Sequence, residues 1–198
     1  MPRRLALAAL ALVALLGACR SVPQSASPGP TVDQQVALGG LSDWQARGRV
    51  AVRSASDGFS ASFNWQEAAG QSSIDVHGPF GAGAAHISRS RELILIDTGN
   101  GAPLQVPPPF TALEPALTAQ LGFPLPIDLL RYWVLGVPAP SAPSESLAGG
   151  FRQAGWQVSF SAFTTVAGAP GPLPVRFALS RGLTEIRVAI STWQVGGP

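Results

Sequence analysis

The stretch that decides the fold is Pro124-Leu125-Pro126-Ile127-Asp128-Leu129-Leu130-Arg131-Tyr132-Trp133-Val134-Leu135-Gly136-Val137-Pro138. It carries the start and stop signals of a short helix. Pro126 suits a first helical position, where its missing N–H would have no partner in any case. Asp128 falls in the first turn, near the positive end of the helix dipole. Gly136 can adopt a left-handed C-cap, and Pro138 prevents continuation. Between these signals only Asp128 and Arg131 are charged. At i,i+3 spacing they share one face and are expected to form a local ion pair. Leu129, Leu130, Tyr132, Trp133, Val134 and Leu135 cover the rest. A helix apolar nearly all round has to be enclosed on several sides, and this one is too short to span a bilayer. Sheet-forming sequence precedes and follows it, which predicts β-structure wrapped around the helix.

Toward the N-terminus of this stretch, Leu113, Ala116, Leu117, Gln120 and Leu121 recur at helical spacing and predict a second, amphipathic helix over 110–121, with Gly122 able to cap it. Strand-like alternation starts at Trp44. Trp44, Ala46, Gly48, Val50 and Val52 fall on one face; Gln45, Arg47, Arg49 and Arg53 fall on the other. Asp57-Gly58 is a hairpin signal, after which Phe59, Ala61, Phe63 and Trp65 alternate with polar residues. Ala69-Gly70 turns the chain again, into Ile74 and Val76. Gly78-Pro79-Phe80-Gly81-Ala82-Gly83 reads as a tight, exposed loop with an aromatic at its tip. Short strands are expected over 84–88 and 93–96, with an edge at Leu104 and Val106.

Beyond the decisive stretch, residues 138–150 read as a Pro/Ser/Gly loop. Strands then resume, with Trp156, Val158 and Phe160, then Val175, Phe177 and Leu179, then Ile186, Val188 and Ile190 facing inward. The count is roughly nine to eleven strands with antiparallel connections. The expected fold is mainly β with a few helices, a curved antiparallel sheet with one face on a core.

The chain has 198 residues, 46% of them apolar and only 12% charged, which suits one domain with a real core. All thirteen basic residues are arginine. Two of them, Arg3 and Arg4, form the charged start of an export signal, followed by an apolar segment from Leu5 to Leu16. Without those two, the arginines equal the eleven Asp and Glu residues, so the processed chain carries no formal net charge. That excludes the clustered positive charge of a nucleic-acid footprint. Leu16-Gly17-Ala18-Cys19 has the form of a bacterial lipoprotein cleavage site, with Cys19 becoming the lipidated N-terminus. Residues 1–18 are then signal peptide, and 19–36 the lipidated Cys with a flexible tether. Residues 37–198 form a single domain. Cys19 is the only cysteine, so no intramolecular disulfide can form. Each buried methylene of an acyl anchor contributes ~0.8 kcal/mol, and two or more chains hold stably. The Ser/Pro/Gln/Gly tether from Arg20 to about Thr31 spans about 20 Å as a flexible coil.

No catalytic constellation emerges. His77 and His86 stand in strands, with no cysteine beside them and no metal-ligand spacing. They read as strand-surface residues. Carboxylates are scattered singly, Gly-x-Ser-x-Gly is absent, and Gly78 to Gly83 leads into neither a Lys nor a helix. No catalytic residue, metal or cofactor is expected. Trp44, Trp65, Trp156 and Trp193 read as core, whereas Trp133 is expected to line a cavity together with Leu129, Leu130 and Val134. From the residues alone three readings stay open: a lipoprotein-inserting protein, a binder of another lipid, or a passive structural envelope lipoprotein.

Taken together, Trp44-Gln45-Ala46-Arg47-Gly48-Arg49-Val50-Ala51-Val52, Phe63-Asn64-Trp65-Gln66, Gly78-Pro79-Phe80-Gly81 and Leu130-Arg131-Tyr132-Trp133-Val134-Leu135-Gly136-Val137-Pro138, in this order behind the lipoprotein signal, resemble the LolB family of outer-membrane lipoprotein receptors. The resemblance runs from the signal peptide to Trp193. It implies an incomplete, open antiparallel β-barrel of roughly eleven strands covering apolar helices, with a hydrophobic cavity. It implies that the protein accepts lipoproteins from a soluble periplasmic carrier, LolA-like, and binds their acyl chains. It would then insert them into the outer membrane, where its own anchor holds it at the periplasmic face. The resemblance also implies a hydrophobic residue on a protruding loop that is needed for insertion. Phe80 stands at that position, where Leu is more usual. Arg20 after the cysteine, in place of Asp, implies sorting to the outer membrane. A monomer is expected.

Overall fold

The computed structural model describes residues 28–55, 58–78, 84–110, 113–121 and 125–196. Helix α1 (Val32–Gly39) comes first. Thr31 caps it: the hydroxyl accepts from the Gln34 N–H while the Gln34 side chain accepts from the Thr31 N–H. The helix therefore overlaps the segment read as tether through residue 36. Its capping box is hidden in a run of Pro, Ser and Gln, and Val32 and Val36 give it no buried stripe.

A meander of six strands follows: β1 (Trp44–Arg53), β2 (Gly58–Ala68), β3 (Gln71–His77), β4 (Ala85–Arg89), β5 (Ile94–Asp97) and β6 (Leu104–Val106). Helices α2 (Leu113–Leu121) and α3 (Ile127–Trp133) come next. Five strands complete the chain: β7 (Ser144–Leu147), β8 (Gly150–Gln153), β9 (Trp156–Thr164), β10 (Leu173–Arg181) and β11 (Thr184–Val195). All eleven form one sheet in the order β6-β5-β4-β3-β2-β1-β11-β10-β9-β8-β7. Every described pairing is antiparallel. The first and last strands meet at the centre, while β6 and β7 remain as edges. This is the curved antiparallel sheet expected from the alternation and the open barrel implied by the resemblance, and α2 and α3 connect its two edges. Leu113, Leu117, Ile127 and Trp133 from these helices join the sheet's inward residues in one core.

Four further details differ from the sequence reading. Phe110 has φ +61°, so it stands outside α2, which begins at Leu113. The supposed loop 138–150 contains β7, a strand exposed along Ser144–Ser146 and therefore without alternation. Its polarity, with Glu145 bonded to Arg152 of β8, suits an unpaired sheet edge. Val175 falls at a register shift between Pro174 and Arg176, so it is only half-buried, while Leu173 and Pro174 are buried. Finally, Asp128 and Arg131 do not pair with each other. Each reaches a strand of the sheet, as described below.

Curvature is built into the centre. The β1–β11 register shifts between Arg47 and Gly48. A Cβ on Gly48 would lie 2.2 Å from the carbonyl oxygen of Ala189, so only glycine permits this approach. Because neighbouring strands alternate in direction, the β1–β2, β3–β4, β5–β6 and β10–β11 connections share one end of the barrel. The opposite end holds α1, the β2–β3 and β7–β8 turns and the β9–β10 connection, where Gly171 lies against Gln34.

Candidate functional site: an apolar cavity beneath the sheet

Helix α3 does not fill the concave face. Between it and the sheet lies a cavity of about 320 Å³. Val50, Val52, Trp65, Ile74 and Ile87 of β1 to β4 form one wall. Phe177, Leu179, Ile186 and Val188 of β10 and β11 continue it. Ile127, Leu130 and Val134 of the α3 segment, with Leu125, form the other. The spacing of Ile127, Leu130 and Val134 puts them on one helical face. Thr98 and Asn100 are the polar lining residues. Both belong to the β5–β6 connection, and with Ala84 and the exposed Phe59 they mark the opening at that end.

Of the four α3 residues expected to line the cavity, Leu130 and Val134 do so. Leu129 does not; it is partly buried against the core. Trp133 does not either. It is fully buried on the far side of the helix, against Phe151 and Trp156 at centroid distances of 6.3 and 6.5 Å. Its indole N–H donates to Gln153 Oε1 at 2.8 Å. Positions 133 and 134 are about 100° apart on a helix, so one turning into the cavity turns the other into the core. The indole that does line the cavity is Trp65, which is also a buried member of the core, as the sequence reading has it. It packs at a tilt against Trp44, with ring centroids 5.3 Å apart, and donates to Glu67 Oε1 and Ser72 Oγ, each at 3.0 Å.

Polar anchors hold α3 in place. Arg131 Nε lies 3.6 Å from the buried Glu67 carboxylate of β2, and an Arg131 guanidinium nitrogen donates to the Leu41 carbonyl at 3.3 Å. Asp128 lies 3.2 Å from Arg89 of β4. After the helix, Gly136 at φ +84° completes a Schellman closure: its N–H bonds Trp133 O at 3.0 Å and the Val137 N–H bonds Tyr132 O at 3.2 Å. Gln153, 1% exposed, then fastens the outgoing chain. Its Oε1 accepts from Trp133 and the Ala139 N–H, and its Nε2 donates to the Ala139 and Ala142 carbonyls. Gln153 and Glu67 escaped the sequence reading because a lone polar residue at an inward strand position looks like an interruption.

Cys19 and Phe80 lie outside the described residues. Gly78 and Ala84, which flank the Phe80 loop, are described, and Ala84 lines the opening. His86 Nδ1 sits 2.7 Å from Asp75 of the neighbouring strand, and His77 is exposed. Among the described residues no group of three or more His, Cys, Asp or Glu could hold a metal ion. Nor is any helix there long and apolar enough to cross a membrane.

An antiparallel sheet open along two edges, curled over helices with an apolar void between them, defines an open half-barrel of the type built around a hydrophobic cavity. The same architecture occurs in a LolA superfamily protein from Nitrosomonas europaea, with a TM-score of 0.50 at 7% identity over 86% of this chain and 96% of that one. Residues 42–193 match the family model "Outer membrane lipoprotein LolB". An outer-membrane lipoprotein LolB from Halorhodospira halophila is 36% identical over 77% of this chain and 76% of its own. One from Alkalilimnicola ehrlichii is 33% identical over 97% of both. The chain belongs to the outer-membrane lipoprotein LolB family. Membership places it at the outer membrane as a lipoprotein.

Proposed function

We propose that the protein receives lipoproteins from a soluble, LolA-like periplasmic carrier, shelters their acyl chains in the cavity under α3, and passes them into the outer membrane. It acts by binding and transfer, without a catalytic group. The observation that carries this reading is the cavity itself. An acyl chain needs a dry, apolar site, and about 320 Å³ of space walled almost wholly by aliphatic and aromatic side chains offers one. A well-packed structural domain has no reason to leave such a void, because unfilled apolar space destabilises a fold. That speaks against a passive structural role.

In this reading Cys19 is the acylated N-terminus, and Phe80 is the apolar tip that enters the bilayer during release. Leu130 and Val134 meet the acyl chains directly; Trp133 and Leu129 support the helix from behind. Transfer runs down a gradient of affinity, from carrier to cavity to bilayer. The test is transfer into phospholipid vesicles that carry the full-length protein. Phe80→Glu should accept lipoprotein from the carrier yet deliver little of it, while Phe80→Leu behaves as wild type. Normal delivery by Phe80→Glu would remove Phe80 from the mechanism.

A further inference from the structure

The mouth end carries a second apolar point, separate from the Phe80 loop. Leu183 lies in the short turn between β10 and β11 and is 78% exposed, more than any other large apolar side chain described. The turn follows directly from the register: Arg181 pairs with Thr184, leaving Gly182 and Leu183 at the tip. One strand over, β1 ends at Arg53, paired with Glu185 on one side and Gly58 on the other. Phe59, the next residue of β2, is 46% exposed and lines the cavity opening. Arg181 bonds Glu114, and Arg187 bonds Glu185. Arg53, exposed beside them, has no carboxylate within ion-pair distance among the described residues.

We propose that Leu183 and Arg53 form a second contact with the periplasmic leaflet of the outer membrane. The claim rests on the insertion function proposed above. An apolar side chain at a hairpin tip next to an exposed guanidinium has the chemistry of a bilayer interface: the leucine enters the acyl region and the arginine meets lipid phosphate. The two contacts, the β10–β11 turn and the β3–β4 connection, flank the β1–β2 hairpin along one rim. A single point lets the barrel swivel; two hold the opening against the lipid into which the cargo must move.

Full-length, lipidated protein in phospholipid vesicles provides the test. Cys19 is the only cysteine in the chain, and lipidation consumes its thiol, so Leu183→Cys carries the one group available for a fluorophore. Nitroxide-bearing phospholipid should quench a label at 183 several-fold more than a label at Ala148→Cys, in the β7–β8 turn at the opposite end. Equal quenching would overturn the contact. Leu183→Glu should leave uptake from the carrier unchanged and slow delivery about fivefold or more, and Leu183→Met should restore it. Reduced uptake with normal delivery would mean that the rim faces the carrier, and would equally overturn the proposal. Arg53→Gln should weaken the quenching at 183 at low salt and matter little at high salt. If the wild type neither accepts nor delivers lipoprotein, the proposed function falls, while the quenching comparison still decides the contact.

Discussion

Several single residues carry more of this structure than their side chains suggest. Gly48 lets β1 approach the Ala189 carbonyl at a distance that a methyl group cannot share. Gly48→Ala should therefore cost about 2 kcal/mol or more, by forcing the central strands apart; urea denaturation of the non-lipidated domain measures it. Gln153 satisfies four polar groups at once, in three buried hydrogen bonds and one part-buried. Replacing it with Leu strands the Trp133 N–H and the Ala139 backbone, and about 3 kcal/mol or more should be lost. Ala69 and Ala154 hold left-handed conformations at φ +52° and +49°, each followed by a glycine in a hairpin turn. Asn tolerates that region better than Ala, so Ala154→Asn should raise stability by about 0.5–1 kcal/mol, seen as a melting temperature higher by a few degrees.

Asp43 adds a pH dependence at the end of the barrel that holds α1. Its carboxylate accepts from the Ser42 hydroxyl and from the Ala69 N–H, which hold its pKa below the ordinary aspartate value. A depressed native pKa stabilises the fold at pH above the unfolded value, and that contribution disappears as pH falls through the native one. Wild type should thus exceed Asp43→Asn in melting temperature near neutrality. The gap should close below about pH 4, and a gap independent of pH would contradict this.

Among the elements, α3 is the piece on which cavity and core both depend. Its apolar circumference was legible in the sequence because caps, a C-terminal glycine and a flanking proline bounded it tightly. Its rotation was not, since an all-apolar helix gives no polar face to mark the outside. The orientation is set instead by Glu67 and Arg89 on the sheet, which draw Arg131 and Asp128 apart. The i,i+3 spacing suggested a pair, but each charge found a partner on another element. Glu67→Leu would leave Arg131, with only 19% of its side chain exposed, without its carboxylate. A loss of about 3 kcal/mol is expected, and Arg131→Met in the same background should recover most of it; failure to recover would show that the pair does not place the helix. The strands were legible where one face is buried and one wet. They were not in β7, where no side chain alternates, nor at the Val175 register shift.

For the whole molecule, the incomplete barrel implied by the family resemblance is present; the structure adds that the first and last strands meet at its centre and that the cavity opens at the end opposite helix α1. Alternation alone does not supply the void, which only the family resemblance implied. Alternation places Val50, Val52, Trp65 and Ile74 inward, but inward residues facing a helix and those facing empty space look alike. Uptake from a carrier loaded with fluorescently acylated lipoprotein tests the central claim most directly, using full-length protein bearing Leu130→Asp and, as control, the conservative Leu130→Met. A charge in an apolar cavity is costly to desolvate. A folded Leu130→Asp protein should therefore take up lipoprotein about tenfold less well while Leu130→Met matches wild type; undiminished uptake by the folded Asp variant would contradict the account.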